Sequence, residues 1–198
     1  GVGLVYGLYS EGWDRLWVKY LVDHFTLPSI FGMNEVAFFG LMRAGGMVLS
    51  ILATRIVEKR LDSNQAPSVA RYMLGITVML SAAILMFAFS PALAVSIVAV
   101  WLVSITRNVM GPLYDAWVNQ RLDSDTRATV ISMSGQVDAI GQVASGPIAG
   151  LISLWSIRAA ITGASLLLLP ALPLITRANR LRAEDDASSS SVETQPAD

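Results

Sequence analysis

Apolar residues fill six long stretches between residues 1 and 176, separated by short polar breaks. The first covers about 1–24 and ends at Asp23-His24, with Pro28 and Gly32 in the break that follows. The second runs from about Glu35 to Val57 and closes in Arg55, Lys59 and Arg60, before a loop 61–68 that holds Asp62, Asn64 and Pro67. The third, about 69–89, stops at Ser90-Pro91, and the fourth, about 92–118, ends in Asn119-Gln120-Arg121. The fifth, about 128–153, follows a polar loop 122–127, and the sixth, about 156–176, ends at Arg177. At about 1.5 Å of rise per residue, each is long enough to cross about 30 Å of hydrocarbon as an α-helix. One such helix can be buried in a soluble protein, but six in succession leave nothing to cover them. The pattern predicts an all-α membrane protein with a six-helix transmembrane bundle over 1–176 and a disordered tail over 177–198. The tail is most polar from 183, with Glu184-Asp185-Asp186 and Ser188–Ser191.

Charge within these stretches is unevenly shared. Stretches one, two, four and five carry ionisable residues where lipid should be, and the interiors of three and six carry none. A charge facing lipid is costly and one facing a water-filled cavity is tolerated, so this sorting points to helices arranged around a polar pathway. Lysine and arginine are also asymmetric between the two sides. One side receives Arg55, Lys59, Arg60, Arg71, Arg121, Arg127, Arg177, Arg180 and Arg182, and the other receives Arg158, with Lys19 near it. The basic side is expected to be cytoplasmic, with both ends of the chain there, in a plasma (inner) membrane.

Composition narrows the chemistry. Of 198 residues 54% are hydrophobic and only 15% charged, against about 25% charged in ordinary globular domains. The net charge of −1 gives no long-range field for nucleic acid. The absence of cysteine excludes disulfides and thiolate metal sites, and a single histidine, His24, is too few for a histidine metal site. No metal or cofactor is expected. The opening Gly1-Val2-Gly3-Leu4 has no initiator Met and no basic n-region, so residues 1–22 read as the interior of a longer protein rather than a signal peptide.

Depth from the cytoplasmic helix ends brings six charges together. Glu11, Arg107 and Asp138 lie about 15 Å deep, and Asp14, Arg15 and Arg43 about 20 Å deep, at about 1.5 Å per residue. Asp115 is shallower. An isolated charge at such depth costs roughly 2.5–3.5 kcal/mol on the mildest scale, so these residues are expected to face inward and pair. Glu11 and Arg15 are four apart and share a helix face. The set reads as a proton or substrate relay, with Asp138 the first choice for a titrating acid and Glu11 the second. The competing reading is a structural ion-pair network that fixes helix register.

Small residues mark helix contacts. Gly146 and Gly150 form a G-x-x-x-G step, Gly141 and Ser145 extend it, and Pro147 lies within it. Gly40, Ala44 and Gly45-Gly46 make a similar face on the second helix. On the fourth helix Arg107-Asn108 is followed by Gly111-Pro112 and Tyr114-Asp115, and a bend at Pro112 would suit a gate or a static kink equally. Asn108, Pro112, Tyr114, Asp115 and Gln136 are candidates for lining a cavity or gate. Trp117 and Trp155, at helix ends, read as interfacial anchors, and Trp101 as packing.

The order charged, charged, apolar occurs twice, and three crossings per unit invert the second relative to the first. This is the 3+3 inverted repeat found within each six-helix half of major facilitator transporters. Ser10-Glu11-Gly12-Trp13-Asp14-Arg15-Leu16-Trp17 resembles the opening of the seventh helix in a group of bacterial major facilitators. Arg127-Ala128-Thr129, Ser132, Gln136, Asp138-Ala139 and Gly141-Gln142 to Gly146-Pro147 resemble that group's eleventh helix. The resemblance covers 1–176 and implies helices seven to twelve of twelve. The first and fourth helices of the half would then line a cavity, the second and fifth flank it, and the third and sixth face lipid. The family's antiporter motif is only partly kept: Gln142 stands where the glycine ladder ending in Gly146-Pro147 has glycine, and Arg55–Leu61 is a degenerate copy of the cytoplasmic loop.

The function this implies is secondary active transport of a small organic solute, by proton-coupled efflux with alternating access. Its partners would be the substrate, the lipid bilayer and an N-terminal six-helix half. The alternatives are a nutrient importer or uniporter of the same fold, and a non-transporting membrane partner or sensor module. No His-Glu pair or Ser-Lys dyad at matched depth favours an enzyme.

Overall fold

The computed structural model describes residues 1–28, 35–60, 66–119 and 124–193, with the side chains of 66–68, 124 and 185–193 excepted. The sequence-derived positions Gly32, Asp62, Asn64, Gln120 and Arg121 lie outside the described residues. All regular structure among the described residues is helical: α1 Val2–His24, α2 Glu35–Arg60, α3 Ala66–Ala88, α4 Leu93–Asn119, α5 Ser124–Trp155, α6 Ile157–Leu166 and α7 Ala171–Glu193. Five segments are long and apolar enough to cross a membrane: Glu35–Arg60, Val69–Ala88, Leu93–Asn119, Asp125–Trp155 and Ile157–Glu184. The chain is therefore an all-helical, multi-pass membrane protein by length and composition. α1 falls outside that set because Glu11, Asp14, Arg15, Lys19 and Asp23 interrupt its apolar run.

Two expectations change at the C-terminal end. The sixth stretch is broken rather than continuous, with a tight turn at 167–170 between α6 and α7. Pro170 has no N–H for the helical ladder and disfavours helical backbone at the residue before it. Leu167 N–H still keeps the helical bond to the Gly163 carbonyl, whereas the N–H groups of Leu168 and Leu169 bond only three residues back, to the carbonyls of Ser165 and Leu166. The predicted disordered tail 177–198 is helical as far as Glu193, and 194–198 lie outside the described residues. Arg177, Ala178, Arg180, Leu181, Arg182, Ala183 and Glu184 are nearly all strong helix formers. One of them is also anchored: Arg182 donates to the Trp117 carbonyl at 2.9 Å and lies 4.2 Å from the indole centroid. Trp117 is thus a buried packing residue at 7% exposure rather than an interfacial anchor, whereas Trp155 is 88% exposed.

Contacts fix the direction of each helix. α1 and α5 run parallel, with Gly3 against Ser134, Gly7 against Asp138 and Glu11 against Gly146. α2 and α4 also run parallel, with Met42 bonded to Trp101 and Ser50 to Asn108. α1 and α3 are parallel through Tyr6–Thr77 and Tyr20–Ala88. α1 and α4 are antiparallel, since Asp14 meets Arg107 while Gly3 meets Tyr114. α6 and α7 oppose α1, because Gly12 faces Ala164 and Gly1 faces Leu174. So α1, α3 and α5 point one way, and α2, α4 and the α6–α7 pair the other.

The core forms two apolar layers. One is built around Trp13, Trp17, Tyr20, Leu80, Phe87, Val103 and Ile161, the other around Val5, Val69, Met73, Val109, Leu113, Ala171 and Ile175. A belt of hydroxyl pairs runs between the layers and into the first. Tyr6 bonds Thr77 at 2.7 Å, and the Ser81 and Ser165 hydroxyls meet at 2.8 Å. Pairing each hydroxyl inside the protein avoids the penalty of an unsatisfied polar group away from water.

Candidate functional site

The charges of α1, α4 and α5 meet beside this belt. α1 carries Tyr6, Tyr9, Ser10, Glu11, Asp14 and Arg15 within three turns, and α4, running oppositely, brings Arg107 to Asp14. Arg107 uses both terminal nitrogens, Nη1 at 2.5 Å from Oδ1 and Nη2 at 2.9 Å from Oδ2 of Asp14. A fork-on-fork guanidinium–carboxylate pair fixes orientation as well as charge. Its guanidinium also lies 5.9 Å from the Tyr9 ring centroid. Depth alone pointed Arg107 toward Glu11 and Asp138; the antiparallel crossing of α1 and α4 gives it Asp14. Glu11 pairs with Arg15, as their spacing predicts.

Asp138 lies half-buried on α5, and its Oδ2 accepts from Gln142 Nε2 at 2.8 Å, one turn on along the same helix. Among the described residues it forms no ion pair. Arg43 likewise joins none; its guanidinium sits 5.6 Å from the Trp17 ring centroid. The six deep charges therefore resolve into two ion pairs, one amide-bound carboxylate and one arginine over an indole.

Two cavities flank α1 and share Arg107. The first, of about 360 Å³, lies between α1, α4 and α5. Tyr6 and Tyr9 line it from α1, Arg107, Tyr114 and Asp115 from α4, and Ser134, Asp138 and Gln142 from α5. Tyr6 stands edge-on to both Tyr9 and Tyr114, at centroid distances of 6.1 and 6.3 Å, and Tyr114 shares a 2.9 Å hydrogen bond with Ser134. The second, of about 570 Å³, lies between α1, α2 and α4 and is lined by Trp13, Asp14, Trp17, Arg43, Trp101, Arg107 and Asn108. Asn108 donates to Ser50 at 3.2 Å and to the Ser104 carbonyl at 2.8 Å. Glu11, Arg15, Gln142, Gly146 and Pro147 border a third, open groove. Volumes of this size suit small molecules.

Other candidates fall elsewhere. Pro112 lies outside both cavities, against Thr54, Val57 and Glu58 of α2, and α4 continues through it as helix. Gln136 is exposed and lines neither cavity. Gly45 and Gly46 receive the Trp101 ring, and Gly146 faces Glu11 and Arg15. Gly150 has nothing within 4 Å of where a side chain would start, so the G-x-x-x-G step contacts the bundle at one end only. The tightest crossing is at Gly7 and Gly141. A methyl on Gly141 would lie 2.6 Å from the Leu4 carbonyl oxygen, and one on Gly7 would overlap the Asp138 carbonyl. The tyrosines at 6 and 9 and the step Gly3-x-x-x-Gly7 are the features sequence reasoning passed over; the step was readable as the partner of Gly141.

Comparison with protein-family models, with curated proteins and with solved structures finds no match to this chain. The functional reading therefore rests on the site alone. Among the described residues no group of His, Asp and Glu is clustered to hold a metal ion.

Proposed function

We propose that this chain is a six-helix half of a major facilitator-type transporter and moves a small organic solute by alternating access, with proton coupling through Asp138. The observation that carries the reading is the first cavity: the carboxylates of Asp138 and Asp115 and the guanidinium of Arg107 share a small-molecule-sized space between α1, α4 and α5, the last two apolar enough to cross a membrane. Charges held at that depth are costly unless they line a pathway or bind one another, and Asp138 has no ion-pair partner among the described residues.

The helix pairings support a 3+3 repeat. Exchanging α1 with α4, α2 with α5 and α3 with the α6–α7 pair carries the α1–α5 contact onto α4–α2. It also carries α3–α4 onto α6–α1 and returns α3–α6 to itself. The alternating directions favour α1 as a sixth crossing despite its charges, because it packs along α5 and meets α3 through Tyr6–Thr77 and Tyr20–Ala88, both helices apolar enough to span. Nine bases on one side favour a cytoplasmic location for both ends of the chain. The exposed apolar faces of α2 and α5, with Met47, Leu52, Ile56, Ile140, Val143 and Leu151, leave surface for lipid and for the other half.

The reading is tested with the full-length protein in proteoliposomes under an imposed proton gradient. Asp138→Asn should abolish gradient-driven accumulation while leaving energy-independent exchange, and Arg107→Leu should abolish both while the protein still reaches the membrane. Wild-type coupling in Asp138→Asn would pass the proton role to Glu11, tested by Glu11→Gln. Wild-type transport in Arg107→Leu would refute a working role for the cavity.

A further inference from the structure

We infer that the cavity between α1, α4 and α5 is a binding site for an organic cation; the inference deepens the transport reading and rests on the same cavity. Its wall carries one guanidinium, Arg107, against the carboxylates of Asp138 and Asp115. That guanidinium is already engaged, with both terminal nitrogens on Asp14. The arginine is thereby neutralised by a residue that does not line this cavity, and the negative charge of Asp138 and Asp115 is left over. Gln142 is the hydrogen-bond donor to Asp138, and a neutral amide orients a carboxylate without cancelling its charge.

The aromatic lining has the same preference. Tyr6, Tyr9 and Tyr114 form a continuous edge-to-face cluster on the wall shared by α1 and α4, opposite Asp138 on α5. Ring faces attract cations through their quadrupole, most strongly where water is scarce. Tyr9 already does so for the protein's own Arg107, at 5.9 Å. An anion would meet an occupied arginine and two carboxylates. The second cavity differs in sign, with Arg43 among Trp17 and Trp101 and its Asp14 bound to Arg107, so the cation preference belongs to the first cavity alone. An amine or quaternary centre flanked by apolar groups fits both the charge and the rings.

The test uses two ions of nearly the same shape and opposite sign, tetraphenylphosphonium and tetraphenylborate. Binding to the purified full-length protein in detergent is read by quenching of tryptophan fluorescence. Comparison with variants in the same detergent cancels partition into the micelle. The phosphonium should bind at least about tenfold more tightly than the borate, since one well-placed charge and a ring face each contribute on that scale. Asp138→Asn should remove the preference and Asp138→Glu restore it. Glu58→Gln, the same loss of charge at an exposed position on α2 outside this cavity, should leave it unchanged. Equal or tighter binding of the borate overturns the inference, as does a preference that survives in Asp138→Asn with an unchanged unfolding midpoint. Binding is read without transport, so the two claims fail separately. A chain that carries a solute but shows no cation preference loses only the cation assignment, and one that prefers the phosphonium but moves nothing loses only transport.

Discussion

The α1–α5 and α2–α4 flanks are built alike and used differently. Both pair parallel helices, both place glycine at the crossing, and both carry one deep charge, Asp138 or Arg43, with no ion pair among the described residues. In the first, glycine meets backbone: Gly7 and Gly141 bring α1 and α5 so close that no side chain fits between them. In the second, Gly45 and Gly46 make room for the Trp101 ring, whose Nε1 donates to the Met42 carbonyl at 2.9 Å. The first therefore holds its helices at a fixed minimum distance and opens a tyrosine-lined, acidic cavity beside the contact. The second fills the gap with an indole and leaves Arg43 against Trp17. A small-residue face is thus two different devices, depending on whether the partner offers backbone or a ring.

Substitutions at the glycines break or sharpen this comparison, and thermal unfolding of the purified chain in detergent reads all of them. Gly7→Leu should have the largest effect and prevent assembly of the bundle, with Gly7→Ala costing about 1–3 kcal/mol as an overpacked contact that backbone cannot relieve. Gly46→Ala should cost under about 1 kcal/mol. A methyl there would lie 3.2 Å from Trp101 and 3.3 Å from the Ser104 hydroxyl, both side-chain atoms able to shift slightly. Gly150→Ala should be neutral or stabilising by up to about 1 kcal/mol, since the position is open and alanine is the better helix former. Equal effects at Gly7 and Gly46 would mean that the two crossings are not distinct.

Much of the bundle was legible because apolar runs record element length directly. The starts and ends of α1 to α4 fall within three residues of the ends of the apolar stretches. The break at 167–170 was missed because two prolines inside a leucine run were weighed less than the run itself. Local charge pairing was legible where it is intrahelical, as for Glu11–Arg15. Interhelical pairing was not: depth placed Arg107 level with Glu11 and Asp138, and the antiparallel crossing of α1 and α4 gives it Asp14, about a turn away in depth, instead. Gly150 shows the same limit from the other side, since a motif spacing does not tell which residue of the face has a partner. Tyr6 and Tyr9 went unremarked because tyrosines in an apolar helix read as packing, and they become cavity walls only once Tyr114 and Ser134 stand opposite.

Access to the first cavity is the most direct test of the account. The chain has no cysteine, so Ser134→Cys introduces a single thiol on the cavity wall beside Tyr114. In the full-length protein, with any cysteine outside this chain replaced, membrane-impermeant thiol reagents are applied to right-side-out and inside-out vesicles, with and without tetraphenylphosphonium. Alternating access predicts labelling from both faces, slowed from both by the cation. Labelling from one face alone, or from neither, would contradict a cavity that opens in turn to each side of the membrane.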